Sequence, residues 1–388
     1  MNLPSVTISA RGVERIVTGH PWIYRADLAP ATQAEPGSIV RVVDRKNRYW
    51  GQAHYSSKSQ IALRMLTRED RPFDRAFLAA RIASAAAYRA QISGGAEAYR
   101  LVAAEGDLLP SLTIDRYGGC LVMQTLSQGM ENLKTMVVEI LQEQFSPVSI
   151  LERNDVVVRA LEGLPEQKGV LAGEAVNEVI VDENGLKFRF DLLGGQKTGG
   201  FLDQRENRAA ARNYMRGRLL DGFTYNGGFA LTLARQCETV LAVESSREAI
   251  KLARRNQELN NISNVEFLEA NCFDVLKGAD QSGERFDAIV LDPPPFARHK
   301  SNLESAIRGY KELNLRALKM LNPGGYLITC SCSFHVGEGD LLQAVAAAAL
   351  DARRIVSVVE RRTQSRDHPI LLTVPETHYL KCLILRVL

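Results

Sequence analysis

The residues best placed for chemistry are two aspartates, a glutamate and a cysteine, which follow or end apolar runs at Asp221, Glu244, Asp292 and Cys332. In open α/β sheets the carboxyl ends of the strands meet at one edge, where ligands bind. Carboxylates at such an edge can hold ribose hydroxyls or a base, and a thiolate can add to an electron-poor carbon. We therefore expect the four side chains to converge on one crevice.

The stretch RLLDGFTYNGGFAL (218–231) predicts a strand, a glycine-containing turn and a helix that opens near Phe229. Such a turn directs backbone N–H groups and the positive end of a helix to one point, where a carboxylate or phosphate can bind. Turn glycines also occur simply because a tight turn needs positive φ. The loop alone therefore leaves both a cofactor site and a structural turn open.

Glu244 ends the next apolar run, 23 residues after Asp221. Ser245 and Glu248 have the spacing of a capping box, which predicts a helix directly after the acid. An acid at the tip of a second strand is typical of ribose binding. A nicotinamide dinucleotide and S-adenosylmethionine both fit, but the turn lacks the G-x-G-x-x-G pattern of dinucleotide sites.

Two further apolar runs end in chemically active residues. FDAIVLDPPPF (286–296) predicts a buried strand that brings Asp292 to its tip, with prolines that stiffen the exit. GYLITCSCSFH (325–335) brings Cys330 and Cys332 to the same edge. A metal site with His335 is one interpretation, but closed zinc sites need four ligands. We expect Cys330 to be a core residue and Cys332, at or past the strand end, to be the nucleophile.

The composition is that of an ordinary globular protein, with 388 residues, 45% hydrophobic and 24% charged, and predicts two or three domains. No apolar run is long enough to predict a membrane span, and no secretory signal or C-x-x-C pair occurs, so we expect a reduced cytoplasmic protein without a metal. A net charge of +3 argues against a non-specific nucleic-acid coat. Arg205, Arg208, Arg212 and Arg216 predict one basic helix face, either solvated or in contact with phosphate.

Three domains are predicted along the chain. Residues 1–70 show short alternating strands, as in a small β-barrel, and include GHPWIY (19–24), whose aromatic residues could stack on nucleic acid or pack in the core. Residues 71–190 predict an α+β domain with a helix at 131–145 and strands at 149–155 and 155–161. Its acidic pair, Glu105 and Asp107, is best explained by a turn.

The hairpin VNEVIVDENGLKFRFDLL precedes residues 191–388, where a helix capped by Asp203 leads into alternating strands and helices. This alternation predicts an open, mainly parallel α/β sheet.

These motifs together resemble a known family. DGFTYNGGFAL, the Glu244 strand end, LDPPPF and the SCS of ITCSCS, preceded by KTGGFLDQRENR, are similar to the RlmI-type class I S-adenosylmethionine-dependent methyltransferases, which form 5-methylcytosine in 23S ribosomal RNA. The resemblance covers essentially the whole chain. It implies an N-terminal PUA-like RNA-binding barrel, a central α+β domain and a C-terminal Rossmann-like methyltransferase domain. It also implies RNA as partner and a homodimer.

The resemblance also implies roles for individual residues. Cys332 matches the nucleophile and Asp292 the carboxylate beside the target base. Glu244 matches the ribose acid, while Asn271 replaces an aspartate near the adenine. The cofactor-binding residues implied are Gln204, Asp221, Phe223, Tyr225, Asn226, Gly227, Gly228, Glu244, Ser245, Asn271, Cys272 and Asp292.

Alternatives are a methyltransferase of the same fold that acts on a guanine nitrogen, and a non-catalytic RNA-binding factor of ribosome assembly. A nicotinamide-dependent oxidoreductase is a more distant one.

Overall fold

The computed structural model describes residues 3–30, 34–297 and 300–388. The chain forms two compact units. Unit 1 contains the residues up to Val181 together with Phe190–Leu202 and Arg366–Thr377. Unit 2 contains Asp182–Arg189, Asp203–Ser365 and His378–Leu388. Each unit thus combines segments that are distant in sequence.

The first sheet of unit 1 has five strands in the order β1-β3-β4-β5-β2. The strands are β1 (Ser5–Ile8), β2 (Trp22–Tyr24), β3 (Ile39–Asp44), β4 (Tyr49–Tyr55) and β5 (Ile61–Thr67). Alternate apolar side chains such as Val40 and Val42 are fully buried in its core. Helix α1 (Ala10–Val17) was not predicted; its cap is Ser9, whose Oγ accepts the Gly12 N–H at 3.2 Å.

The aromatic and acidic residues singled out in unit 1 make protein contacts. Trp22 is half-buried, and its Nε1 donates to Glu105 Oε1 at 3.0 Å. Asp107 accepts the Ala103 N–H at 2.6 Å and pairs with the buried Arg89 guanidinium. These contacts agree with the structural interpretation of the acidic pair.

The second sheet of unit 1 has the order β10-β9-β8-β7-β6. Its strands are β6 (Ala98–Ala103), β7 (Leu112–Tyr117), β8 (Cys120–Thr125), β9 (Ser149–Arg153) and β10 (Lys168–Gly173), and the helices of this region are α2 (Arg75–Ile92), α3 (Gln128–Asn132) and α4 (Lys134–Phe145). The helix predicted at 131–145 is thus divided between α3 and α4.

The strand predicted at 155–161 is wrong, because Val157–Glu162 forms a 3₁₀ helix. Arg159 is fully buried there, and its guanidinium donates to Pro165 O at 2.8 Å and to Glu131 Oε2 at 2.9 Å. A buried arginine held by several acceptors fixes the backbone more strongly than the β-propensity of the neighbouring valines.

Strands β11 (Glu178–Glu183) and β12 (Leu186–Asp191) form a two-stranded hairpin. Asn184 and Gly185 at its turn have φ of 56° and 81°. Two successive positive φ angles are the geometry of a type I′ turn, which confirms the hairpin predicted from the Asn-Gly pair.

Unit 2 contains a seven-stranded sheet in the order β15-β14-β13-β16-β17-β19-β18. The strands are β13 (Gly217–Gly222), β14 (Cys237–Glu244), β15 (Val265–Glu269), β16 (Phe286–Leu291), β17 (Leu321–Ser331), β18 (Val356–Thr363) and β19 (Lys381–Val387). Strands β13 to β17 are parallel neighbours, and β19 is antiparallel to both β17 and β18. The predicted mainly parallel sheet is confirmed.

The described residues of unit 2 form six α-helices: α5 (Arg205–Ala211), α6 (Gly228–Ala234), α7 (Arg247–Leu259), α8 (Cys272–Ser282), α9 (Leu303–Met320) and α10 (Glu338–Asp351). Leu220, Ile289 and Leu327 of the central strands are fully buried in one core with Tyr310 of α9. Burial of each such side chain contributes about 1.5–3 kcal/mol. The strand order reverses direction between β13 and β16, which opens a crevice at their carboxyl ends.

Helix α5 differs from its prediction. It begins at Arg205, and its first turn has no side-chain cap. The predicted cap, Asp203, is buried instead and accepts the Tyr379 hydroxyl at 2.9 Å. Its carbonyl accepts the Ser365 N–H at 2.8 Å, so tertiary partners hold the residue.

The prediction that this helix presents one basic face is also wrong. The helix ends at Ala211, so Arg212 and Arg216 lie beyond it. Arg208 is buried and binds both carboxylate oxygens of Glu183 at 2.7 Å. Although burial disfavours its charge, the neighbouring Glu183 carboxylate raises the pKa of Arg208. This arginine forms a structural ion pair.

Candidate active site

The loop after β13 is built around the buried Asp221 carboxylate. Its Oδ2 accepts the Thr224 hydroxyl at 2.5 Å and the Ala230 N–H at 2.9 Å. Oδ1 is buried and has no hydrogen-bond partner among the described residues. The carboxylate therefore ties the strand end to the first turn of α6 and retains one oxygen that can accept a further donor.

The backbone of this loop requires small residues and unusual dihedral angles. Phe223 and Tyr225 have φ of 67° and 51°, in the left-handed region that costs most residues about 1 kcal/mol or more. A Cβ on Gly222 would lie 2.7 Å from the Cys272 Sγ atom. Gly227 has φ of 83° and leads directly into α6. Strained residues at the start of a helix are typical of a ligand cradle.

Glu244 ends β14 beside this loop. Its Oε2 accepts the Tyr225 N–H at 3.0 Å, and its Oε1 accepts the Ser246 N–H at 2.9 Å. The side chain is half-buried, and a carboxylate offers about four acceptor positions, so it can bind further donors. Helix α7 is capped by Ser246, whose Oγ accepts the Ala249 N–H; the prediction that Ser245 caps it was wrong by one residue.

The third strand end places Asn271 and Cys272 next to the same loop. Asn271 is exposed and caps α8, with its Oδ1 accepting the Phe273 N–H at 2.9 Å. Cys272 is 4% exposed, and burial raises the pKa of its thiol to about 12. Cys272 is therefore a neutral packing residue under Gly222 and not a nucleophile.

Asp292 is the first residue after β16 and is half-buried. Its N–H points to the Gly222 carbonyl, with N and O 3.5 Å apart. The following Pro293 is buried, whereas Pro294 and Pro295 are exposed. The turn after β16 thus lies directly beside the loop after β13.

Cys332 is the first residue after β17 and is half-buried, whereas the other five cysteines are buried. Its Sγ lies 3.8 Å from the Pro293 carbonyl oxygen. The thiol therefore belongs to the same edge as Asp292. Cys330 is 0% exposed, which confirms its predicted place in the core.

Ser333 joins the two turns. Its Oγ accepts the Phe296 N–H at 2.9 Å and the Ala297 N–H at 3.3 Å, and lies 3.1 Å from the Tyr310 hydroxyl. This connection fixes the exit from β17 against the proline-rich turn after β16. The sequence reasoning missed Ser333, and the serine of the SCS motif was the available signal.

The electrostatics confirm that the strand ends are close together. Burial, assisted by the charges of Asp292 and Glu244, raises the pKa of Asp221 to about 7 against the opposing effect of its two hydrogen bonds. Burial also raises the pKa of Tyr310 to about 12, and the charges of Cys332 and Asp292 act in the same direction. Perturbed groups of this kind cluster at functional sites.

Gln204 lies at the same end of the sheet. Its side chain accepts a hydrogen bond from the Asn207 amide at 2.7 Å and lies beside the Cys330 thiol.

No group of three or more histidine, cysteine or acidic residues suited to a metal occurs within the described ranges. Among residues 3–30, 34–297 and 300–388, no helix has the length and apolar character needed to cross a bilayer.

Comparison with known proteins decides the family. A model of the PUA-like domain matches residues 6–68, and a model of the S-adenosylmethionine-dependent methyltransferases matches residues 106–386. A ribosomal RNA large subunit methyltransferase I from Klebsiella pneumoniae (strain 342) is 39% identical over 391 residues, covering 98% of each chain. A protein of the same name from Tolumonas auensis is 42% identical over 379 residues, covering 95% of this chain and 96% of the relative.

The chain belongs to the ribosomal RNA large subunit methyltransferase I family. The crystal structure of SMU.776 complexed with SAH superposes with a TM-score of 0.85 over the whole length of both chains at 19% identity, which establishes the likeness of fold. The predicted family, the PUA-like N-terminal domain and the Rossmann-like methyltransferase sheet are confirmed.

The cofactor of this methyltransferase is S-adenosylmethionine. The residues at the sheet edge fit such a molecule, which carries a carboxylate, an ammonium group and ribose hydroxyls. Asp221 retains a buried acceptor, Glu244 retains acceptor positions, and the glycine loop leaves no Cβ in the way. The dinucleotide alternative has no support from the comparisons.

Proposed function

We propose that this methyltransferase modifies ribosomal RNA of the large subunit and that its product is 5-methylcytosine. The substrate class rests on the names of the full-length relatives. The choice of base rests on one observation, the half-buried Cys332 thiol 3.8 Å from the carbonyl of the Asp-Pro turn. A thiol at that position suits addition to a pyrimidine ring, whereas methylation of a guanine nitrogen needs no such nucleophile.

The cofactor would lie along the carboxyl ends of β13, β14 and β15. Asp221 and the loop 222–228 would hold its methionine part, and Glu244 with Ser245 its ribose. Asn271 would contact the adenine through its exposed amide, with Cys272 packed below the loop. Asp292 and Gln204 would close the site on the side of β16 and β17.

Cys332 and Asp292 would carry the chemistry. The target cytosine leaves its RNA stack and enters the crevice, where its ring becomes accessible. The Cys332 thiolate forms a bond to ring carbon 6, and Asp292 hydrogen-bonds the pyrimidine edge and so holds the ring in position for this addition. Bound S-adenosylmethionine supplies an electrophilic methyl group. Once carbon 5 carries the methyl group, a base takes the carbon-5 proton, the electron pair restores the 5,6 double bond, and the bond between carbon 6 and sulfur breaks to give back the Cys332 thiolate.

Unit 1 offers groups suited to RNA on its first sheet. The guanidinium of Arg41 lies 4.6 Å above the Tyr49 ring, and that of Arg48 lies 5.7 Å from the Trp50 ring. Arg48 is 65% exposed at its side chain, and its Nε also pairs with Asp44 Oδ2 at 2.7 Å. Positive charge beside aromatic faces suits phosphates and unstacked bases. We propose this sheet as the RNA-binding part of the PUA-like domain.

The decisive experiment incubates the protein with labelled cofactor and ribosomal RNA that lacks the modification, followed by mass spectrometry of the nucleosides. We expect labelled 5-methylcytosine from the wild type and a loss of at least about 1,000-fold in rate for Cys332→Ala, because the adduct cannot form. Cofactor binding by Cys332→Ala should be unchanged in calorimetry. Full activity of Cys332→Ala, or a labelled purine, would contradict the proposed chemistry.

The domain limits 1–70, 71–190 and 191–388, the homodimer and the cytoplasmic location stay predictions. Light scattering of the purified protein measures the oligomeric state. Limited proteolysis at the residues near 70 and 190 tests the limits, because linkers are cleaved before folded domains.

A further inference from the structure

Lys381 is a buried lysine beside the SCS turn. It is the first residue of β19 and is the register partner of Ser331 in β17. The residue is 3% exposed, and its Nζ donates to the Ser333 carbonyl at 2.9 Å and to the Tyr379 carbonyl at 3.0 Å. The ammonium group is therefore bonded to the residue that follows Cys332.

This ammonium has an unusual environment. Within the described part of the chain no carboxylate lies at ion-pair distance from Nζ, and its two bonds are to neutral carbonyl groups. A buried cation without a counterion is costly and is rarely retained without a reason. Burial lowers the pKa of Lys381, and the charges of Cys332 and Asp340 act against that shift.

Of these two groups, Asp340 already has a structural role. Asp340 caps the first turn of α10, where its Oδ2 accepts the Gly337 N–H at 2.8 Å, and it is half-exposed to solvent. The Cys332 sulfur, in contrast, lies one residue from the carbonyl that Lys381 holds. Opposite charges at close range stabilise each other, so the ammonium and the thiolate each favour the charged form of the other.

The other ionisable groups around Cys332 do not supply this charge. Asp292 carries a negative charge, which opposes formation of the thiolate. Tyr310 stays neutral because burial raises its pKa to about 12. His335 is half-buried, and its ring lies against Phe334.

We propose that Lys381 is a positioning residue that keeps the Cys332 sulfur as a thiolate and orients the SCS turn toward the substrate. The inference rests on the proposed function in that it takes Cys332 as the nucleophile. The thiol proton passes to solvent, so the free enzyme carries the buried Lys381 ammonium together with a half-buried Cys332 thiolate. Substrate then meets a sulfur that is already deprotonated.

The test measures the ionisation of Cys332 directly, without methylation. The protein is treated with iodoacetamide between pH 5 and 10, and the rate of modification of the Cys332 peptide is followed by mass spectrometry. For the wild type we expect the midpoint of the rate plotted against pH to lie at least about one unit below the ordinary thiol pKa of about 8.5. In Lys381→Met the midpoint should rise by about one unit or more, which slows alkylation at pH 6.5 about tenfold.

Two controls separate charge from packing. Lys381→Arg keeps the positive charge and should keep the low midpoint. Lys319→Met removes a charge from the last turn of α9 and should leave the midpoint unchanged. Far-ultraviolet circular dichroism verifies that each variant is folded.

Each outcome is decisive. A wild-type midpoint at or above about 8.5 overturns the inference without any variant. A folded Lys381→Met protein with the wild-type midpoint also overturns it and leaves Lys381 a structural link between β17 and β19. If Lys381 controls the midpoint while Cys332→Ala methylates RNA fully, the ion pair stands and the proposed function fails.

Discussion

The protonation of Asp221 should control cofactor binding. Its carboxyl is buried, and its pKa is raised to about 7, chiefly by burial. Below that pH the free protein holds the neutral acid. S-Adenosylmethionine carries positive charge on its sulfonium and ammonium groups, so its binding favours the ionised carboxylate. The cofactor must therefore displace a proton from Asp221 at acidic pH, and its affinity should fall as the pH falls.

The expected magnitude follows from the shift. If Asp221 is ionised in the complex throughout the range, affinity falls about tenfold for each pH unit below 7 and levels off above it. The affinity for the cofactor should therefore be about 30-fold lower at pH 5.5 than at pH 8, because pH 5.5 lies 1.5 units below a pKa of about 7. Asp221→Asn should bind more weakly at pH 8 and lose this dependence, because the amide does not titrate.

Isothermal titration calorimetry from pH 5.5 to 8.5, in buffers of different ionisation enthalpy, measures both affinity and proton release. Near pH 6 we expect cofactor binding to release close to one proton more from the wild type than from Asp221→Asn. The ionisation of the cofactor itself is common to both proteins and cancels in the comparison. Equal pH dependence for the two proteins would refute the reasoning, since it would show that Asp221 keeps one protonation state.

Three further changes test the surrounding structure. Ser333→Ala removes the acceptor for two backbone N–H groups of the proline-rich turn and should lower kcat at unchanged cofactor affinity, as steady-state kinetics and calorimetry can establish. Gly222→Ala places a Cβ 2.7 Å from the Cys272 sulfur and should weaken cofactor binding with a loss of about 1–3 kcal/mol in stability; an unchanged melting temperature and affinity would contradict the steric argument. Glu183→Gln removes the carboxylate that binds the buried Arg208 guanidinium and should cost about 3–5 kcal/mol in the unfolding free energy measured by denaturant titration.

The candidate site was predictable because the sequence marks it locally. Asp221, Asp292 and Cys332 each lie at or directly after the end of a buried apolar run, and in a parallel sheet such ends meet. Glu244 was found in the same way. A one-residue error at the cap of α7 arose because Ser245 and Ser246 are chemically equivalent candidates, and only tertiary geometry selects between them.

Other features depend on contacts that sequence patterns do not contain. The buried Arg159 imposes a 3₁₀ helix on a valine-rich segment, and the pairing of Arg208 with Glu183 turns a predicted basic face into an internal ion pair. Lys381 is the first residue of an otherwise apolar strand, so nothing in its sequence neighbourhood indicates that its ammonium binds the Ser333 carbonyl. Its role becomes visible only when β19 is paired with β17.

The position of β19 has a consequence for the order in which the protein assembles. This strand follows β17 and β18 in the chain but lies between them in the sheet. During synthesis on the ribosome, β18 has no neighbour to pair with until β19 has emerged from the exit tunnel. The nascent chain can thus form the part of the sheet that carries the loop 222–228 early, while Lys381 emerges late with β19. A stalled or truncated product would therefore lack Lys381 beside the SCS turn.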